Sequence, residues 1–265
     1  MRSAARFTSV LRTTASAGGP GLTLAEMARA CDLDKATTLR LARALAHEGW
    51  LHADTDGRWR MGADAWLVCR RAAPRLQALV EAAVPRISRL RSQTGDTIYL
   101  AVRSGVDVVF LERVDGRVPV RATIERGARQ LVVLGASGTA WMAALPPEVA
   151  HGILDSLVGR MKALGIERLT FERRLEKSRR DGHAFASGSR LYGVPAISMV
   201  VRDTEAAPVA CVTLSGNADR LTVAHVAFAL PLLQKCVKAI EKAIRADRPG
   251  IVSVTKTTPV SLQVP

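Results

Sequence analysis

Between Lys35 and His47 the chain places Ala36, Thr37, Arg40, Arg43 and Ala44 on one arc of a helical wheel, at about 100° per residue. Two arginines among small residues, with no acid, let a phosphate backbone approach closely, and guanidinium groups can reach phosphates or guanine edges. On an isolated helix, solvated arginines would be the simpler account. The preceding residues change that balance. Thr23 can cap a helix starting at Leu24, with Glu26 completing a capping box, and Asp34 is a second cap ahead of Lys35. Two short helices joined by the turn Cys31-Asp32-Leu33-Asp34 are the frame that aims such a face into a major groove.

Gly49 ends the second helix, and Trp50 to Met61 reads as a hairpin. Trp50-Leu51-His52 is a strand, Asp54-Thr55-Asp56-Gly57 a turn, and Arg58-Trp59-Arg60-Met61 a returning strand of strict alternation. Trp59 and Met61 are expected inside. Arg58 and Arg60 are expected outside, facing DNA phosphates. Together the parts spell a winged helix-turn-helix, with Thr23, Lys35, Thr37, Thr38, Arg40, Arg43, Arg58 and Arg60 as candidate DNA contacts.

Three fragments in register resemble the IclR family of bacterial transcription regulators, from about Phe7 to about Ile244. They are Gly21-Leu22-Thr23-Leu24-Ala25-Glu26-Met27-Ala28, then Asp32-Leu33-Asp34-Lys35-Ala36-Thr37-Thr38-Leu39-Arg40-Leu41, then Trp59-Arg60-Met61-Gly62. The resemblance implies an α+β chain: a winged helix-turn-helix domain over 1–73, a linker helix, and a GAF-like effector-binding and oligomerisation domain over 74–248, with a tail over 249–265. It also implies dimers or dimers of dimers on a pseudo-palindromic operator, more in the manner of a repressor than an activator.

Composition fits a cytoplasmic regulator of this kind. The 265 residues are 48% apolar, enough for a substantial core. No uninterrupted apolar run reaches the roughly 18 residues of a membrane span, and no secretory signal is expected at the N-terminus. Cys31, Cys69, Cys211 and Cys236 are scattered and have no metal-ligand spacing. The net charge of +14 is unevenly placed: residues 1–70 hold ten basic and seven acidic side chains, so +11 belongs to the remainder. Bulk basicity therefore does not mark the DNA-reading segment, and specificity must rest on one helix face.

The remainder reads as a helix over about 75–93, strands over 98–102, 108–111 and 118–124, a loop entering a helix at Ser137, a charged helix over 169–180, strands over 194–202 and 208–216, and a last amphipathic helix over 221–244. Backbone donors around Ser137 and Gly138 could hold an anion. Thr139 stands where the family usually has lysine or arginine. By family register the effector contacts fall on Ala186, Ala196, Thr213 and Ser215, with Ser187 or Arg190 as further polar groups. Ala186 and Ala196 offer no hydrogen bond, so a ligand larger or more apolar than a small acid is expected.

No cofactor is implied and an enzyme is disfavoured. Gly135-Ala136-Ser137-Gly138-Thr139 lacks the closing glycine of G-x-S-x-G, and the five histidines have no zinc spacing. A second reading, of another class, is a small-molecule sensor whose winged helix binds a protein.

Overall fold

The structure, a computed structural model, describes residues 2–72, 74–117, 124–188 and 194–247. The expected strand over 118–124, Arg190 and the tail over 249–265 fall wholly or mostly outside them. The chain divides into two compact units, Met1–Leu76 and Gln77–Pro265.

The first unit opens with α1 (Arg2–Ala17), a helix the sequence reading did not anticipate, followed by β1 (Leu22–Thr23), α2 (Leu24–Cys31) and α3 (Lys35–His47). Next come β2 (Leu51–Ala53), β3 (Arg58–Met61) and α4 (Ala63–Ala72). Asp32 terminates α2 in the left-handed region, φ 52°, with its N–H donating to the carbonyls of Ala28 and Arg29. That single residue turns the chain so that α3 starts under its own cap, Asp34. The three strands form an antiparallel sheet in the order β1-β3-β2, with Leu22 opposite Trp59 and His52 opposite Arg60. Val10, Met27, Leu41, Ala42, Leu45, Leu51 and Trp59 form one core, so α1 supplies an inner wall for both helices of the motif. Truncating such a buried leucine to alanine costs about 2–5 kcal/mol.

In the second unit the order is α5 (Pro74–Thr94), β4 (Thr97–Ser104), β5 (Asp107–Val114), β6 (Arg129–Leu131), α6 (Gly135–Ala144), α7 (Pro147–Ala163), α8 (Arg168–Asp181), β7 (Ala184–Ala186), β8 (Ala196–Arg202), β9 (Pro208–Ser215) and α9 (Val223–Asp247). The six strands are antiparallel, in the order β6-β5-β4-β9-β8-β7. Because side chains alternate across a strand, the sheet has two separately packed faces. Ile98, Leu100, Val212 and Leu214 pack with α5 and α9. Tyr99, Phe110 and Cys211 pack with α6, α7 and α8.

One buried carboxylate anchors the middle of the sheet. Asp96, 2% exposed just ahead of β4, receives Arg220 Nε at 2.6 Å and faces His225 Nε2 at 2.6 Å. These contacts tie the start of β4 to the chain entering α9. By length and composition α9 could cross a bilayer. Its Leu233, Val237, Ile240 and Ile244 are instead buried on the sheet while Lys235, Lys238 and Arg245 are exposed, the pattern of an amphipathic core helix.

Candidate functional site

The N-terminal unit presents one reading surface. Asp34 Oδ1 accepts the backbone N–H of Thr37 at 2.7 Å, and this N–H holds the Asp34 carboxyl below its ordinary value. With the first turn fixed, Lys35, Ala36, Arg40, Arg43, Ala44 and His47 are exposed, and Thr37 is half-buried at the edge of the same face. Lys35, Arg40 and Arg43 have no hydrogen bond or ion pair among the described residues. Three uncompensated cations on a helix face of otherwise small residues can meet phosphates and guanine edges.

Thr38 is a correction. It is fully buried, and its hydroxyl donates to the Asp34 carbonyl at 2.8 Å, so it packs inside the motif and offers DNA nothing. Thr23 is also committed elsewhere. Its hydroxyl donates to Glu26 Oε2 at 2.9 Å and its N–H to the same oxygen at 2.8 Å, while Glu26 N–H donates back to the hydroxyl at 3.3 Å. The anticipated capping box is complete, and the operator role assigned to Thr23 loses its hydroxyl.

The wing arginines differ from expectation in the same way. Arg58 Nη1 donates to the Gly21 carbonyl at 3.2 Å and reaches Glu26 Oε2 at 3.3 Å. Arg60 bonds Asp54, pairs with Asp56 at 2.9 Å, and donates to the Gly19 carbonyl at 2.9 Å. These arginines close the wing onto the loop ahead of α2 rather than standing free for phosphate. Alternation placed both on the outer face of β3, where Asp54 and Asp56 of the turn were the available sign of pairing for Arg60, while Glu26 and the Gly19 and Gly21 carbonyls come from far along the chain.

Inside the second unit a chain of hydroxyls links three elements. Thr213 Oγ1 on β9 lies 2.8 Å from Ser137 Oγ on α6 and 2.8 Å from Ser198 Oγ on β8. All three are buried. Ser137, Ala196, Thr213 and Ser215 converge on a cavity of about 30 Å³ that also touches Tyr99 and Gln130. That volume holds one or two waters. Ser215 Oγ donates to the Pro195 carbonyl at 3.0 Å, and Tyr99 stacks edge-on against Phe110 with ring centroids 5.5 Å apart. The first turn of α6 opens here without a side-chain cap, since Leu134 is the N-cap residue.

Other predicted effector residues do not join this site. A Cβ on Gly138 would sit 2.2 Å from the Val132 carbonyl oxygen, so that glycine serves a backbone crossing rather than a ligand. Ala186 packs with Ala136, Ala140, Ala184 and Ala196 in a small apolar cluster behind the cavity wall, and does not itself line the cavity. Ser187 is exposed and outside the lining. Ser198, Tyr99 and Gln130 were missed. The signal for Ser198 was available, because it lies two residues from Ala196 on one strand and therefore faces the same side.

Burial pushes the Cys211 thiol up to about 12, against the smaller opposing pull of Ser198, Thr213, Ser137 and Trp141. It is a protonated, inert thiol at neutral pH. The hydroxyl chain has no base, since no histidine or carboxylate lines the cavity among the described residues, so it is not arranged for nucleophilic attack.

Comparison with known proteins settles the class. Residues 3–55 match the IclR helix-turn-helix domain, and residues 73–242 match the C-terminal domain of bacterial transcriptional regulators of the IclR type. The chain belongs to the IclR family. This IclR-family protein is a ligand-responsive DNA-binding regulator and not an enzyme. It is 26% identical over 227 residues to the transcriptional repressor AllR of Klebsiella pneumoniae, covering 82% of this chain and 80% of that one. It is 28% identical over 224 residues to the transcriptional regulator BhcR of Paracoccus denitrificans, covering 77% and 74%. An IclR homolog from Microbacterium hydrocarbonoxydans, crystallised with 4-hydroxybenzoate, superposes with a TM-score of 0.69 at 22% identity, over 91% of this chain and 98% of that one. The winged helix-turn-helix followed by an α+β effector domain is therefore the fold of the family.

Proposed function

We propose that this IclR-family protein is a repressor whose α3 reads a pseudo-palindromic operator through Lys35, Thr37, Arg40 and Arg43, and whose operator affinity is set by a small organic effector. The carrying observation is the face of α3: three exposed cations, none paired among the described residues, on a helix with both its own cap and a capped helix ahead of it. The repressor sign rests on relatives such as AllR.

Effector recognition is assigned to the cavity between α6 and the sheet. Ser137, Thr213 and Ser215 supply hydroxyls, the uncapped first turn of α6 supplies N–H groups for a carboxylate, and Tyr99 and Phe110 supply aromatic walls. An aromatic or aliphatic acid matches this chemistry, and 4-hydroxybenzoate on the Microbacterium homolog is an instance of it. At about 30 Å³ the cavity must widen to admit such a molecule. Binding energy then goes into selecting a wider state, which is the differential affinity a population shift requires.

Self-association is expected of the domain over 74–248; α4 in the N-terminal unit offers a further surface for it. Trp66, Leu67 and Val68 are 59%, 43% and 47% exposed on α4, an apolar stretch that a second copy would cover.

The deciding experiment is a gel shift with the DNA flanking the protein's own gene, with and without aromatic and aliphatic acids. Specific retardation that an acid reverses supports the reading. Absence of specific retardation under every condition would instead favour the winged helix as a protein-binding module.

A further inference from the structure

On the sheet face opposite α6, helices α5 and α9 flank a groove of about 400 Å³. Leu90, Leu232 and Cys236 form its apolar floor, and Arg86, Arg89 and Lys235 stand around it. Arg86 and Arg89 are three residues apart on α5 and so share a face, with Lys235 across the groove on α9. No carboxylate lines the groove among the described residues.

Several arginines on convex faces are likewise unpaired among the described residues, as on α3, but around the sheet of this unit others are held by carboxylates. Arg113 holds Asp115 and Glu125, Arg129 holds Asp107, Arg168 holds Asp155 and Glu172, and Arg220 holds Asp96. Arg86 donates only to a carbonyl of its own helix, Ala82 O at 2.6 Å, and Arg89 and Lys235 have no hydrogen bond or ion pair among the described residues. Like charges on neighbouring turns repel, so three cations converging on one concavity are stabilised by an anion placed among them. The size is that of a small-molecule cleft, commonly about 300–1,000 Å³ and mostly apolar with a few converging polar groups.

Each of the two helices carries an interior proline, Pro85 lining the groove in α5 and Pro231 next to the lining residue Leu232 in α9, and an interior proline removes one i→i−4 hydrogen bond. In addition, α5 is the helix in which the chain passes from the first unit to the second. A ligand in the groove would touch that connector directly.

We propose that the α5–α9 groove is a second small-molecule site, separate from the hydroxyl cavity. It takes an organic anion with an apolar body and one carboxylate or phosphate group. The anionic end sits among Arg86, Arg89 and Lys235, and the body lies on Leu90 and Leu232.

Isothermal titration of the full-length protein with phenyl phosphate and with benzoate tests this. At least one probe is expected to bind the wild type at millimolar concentration or below. The double variant Arg89→Ala/Lys235→Ala should weaken that binding on the order of tenfold or more, the loss of charge-assisted hydrogen bonds, while its unfolding midpoint stays level or rises as repulsion is relieved. Thr213→Val, at the other cavity, should remove at most a separate benzoate-binding phase and leave the phase that depends on Arg89 and Lys235 intact. The proposal is overturned if neither probe binds, if the double variant binds as well as the wild type, or if Thr213→Val abolishes all binding of phenyl phosphate as well as of benzoate. It is also overturned if the double variant changes the assembly mass in sedimentation, since the groove would then be covered by a second copy of the chain.

Discussion

Ser137 on α6 and Thr213 on β9, 76 residues apart in the chain, share a hydrogen bond of 2.8 Å inside the effector domain. Thr213 makes an equally short contact with Ser198, so one hydroxyl satisfies two buried neighbours. Thr213→Val removes both bonds at nearly constant volume, leaving Ser137 without that partner and Ser198 with only its longer bond to the Val212 carbonyl at 3.4 Å, at a cost of about 1–3 kcal/mol. Denaturant unfolding should register that loss, and Thr213→Ser should recover most of it. A Thr213→Val protein as stable as wild type would mean that an internal water already serves these groups.

Arg40→Ala should weaken specific operator binding by about 1–3 kcal/mol and relax the preference at one base position. Lys35→Ala should instead weaken operator and unrelated DNA alike, and reduce the salt dependence of both. Salt-matched titrations on the two DNAs separate these outcomes. Equal loss on both DNAs for Arg40→Ala would remove base readout from that side chain.

The wing clamp should respond to acid. Glu26 lies below its ordinary value of 4.5, chiefly through the Thr23 N–H and in part through Arg58, and Asp56 lies below 3.8, chiefly through Arg60. A carboxyl depressed on folding adds stability above its unfolded pKa and loses it as pH falls through the folded value. Glu26→Gln should therefore unfold at a lower temperature than wild type at pH 6, with the gap closing as pH drops below 4. A gap that stays constant down to pH 3 would show that the Glu26 contribution is not electrostatic.

Burial raises the thiols of Cys211 and Cys236 to about 12 from an ordinary 9.0, so both stay protonated in the folded protein. Iodoacetamide at pH 8 should leave both unmodified until urea is added, read by mass spectrometry of the digested chain. The linked stability is present below pH 9 and is lost as pH climbs toward 12. Modification of Cys211 in the native protein at the rate seen in urea would refute this placement.

Much of the reading helix was fixed by local sequence. A threonine three residues ahead of Glu26, an aspartate ahead of Lys35 and the 3.6-residue period decide where α2 and α3 begin and which side of α3 is wet, because capping and amphipathicity act over one or two turns. Long-range pairing was not legible. Arg58 and Arg60 alternate outward as expected, yet only the folded wing brings Glu26, Asp54, Asp56 and the carbonyls of Gly19 and Gly21 to them. Family register pointed to Ala196, Thr213 and Ser215, which line one cavity, and to Ala186, which does not, while Gly138, named for its backbone donor, is used by the fold for a close backbone crossing. The α5–α9 groove lay furthest from reach, because Arg86 and Lys235 are separated by most of the effector domain in sequence. The one-dimensional pattern determined helices, faces and a reading surface. Only tertiary structure decided which charges are neutralised and which remain free, since beside near neighbours such as Asp56 for Arg60 the partners include carboxylates and carbonyls distant in the chain, as Glu26 and Gly21 are for Arg58.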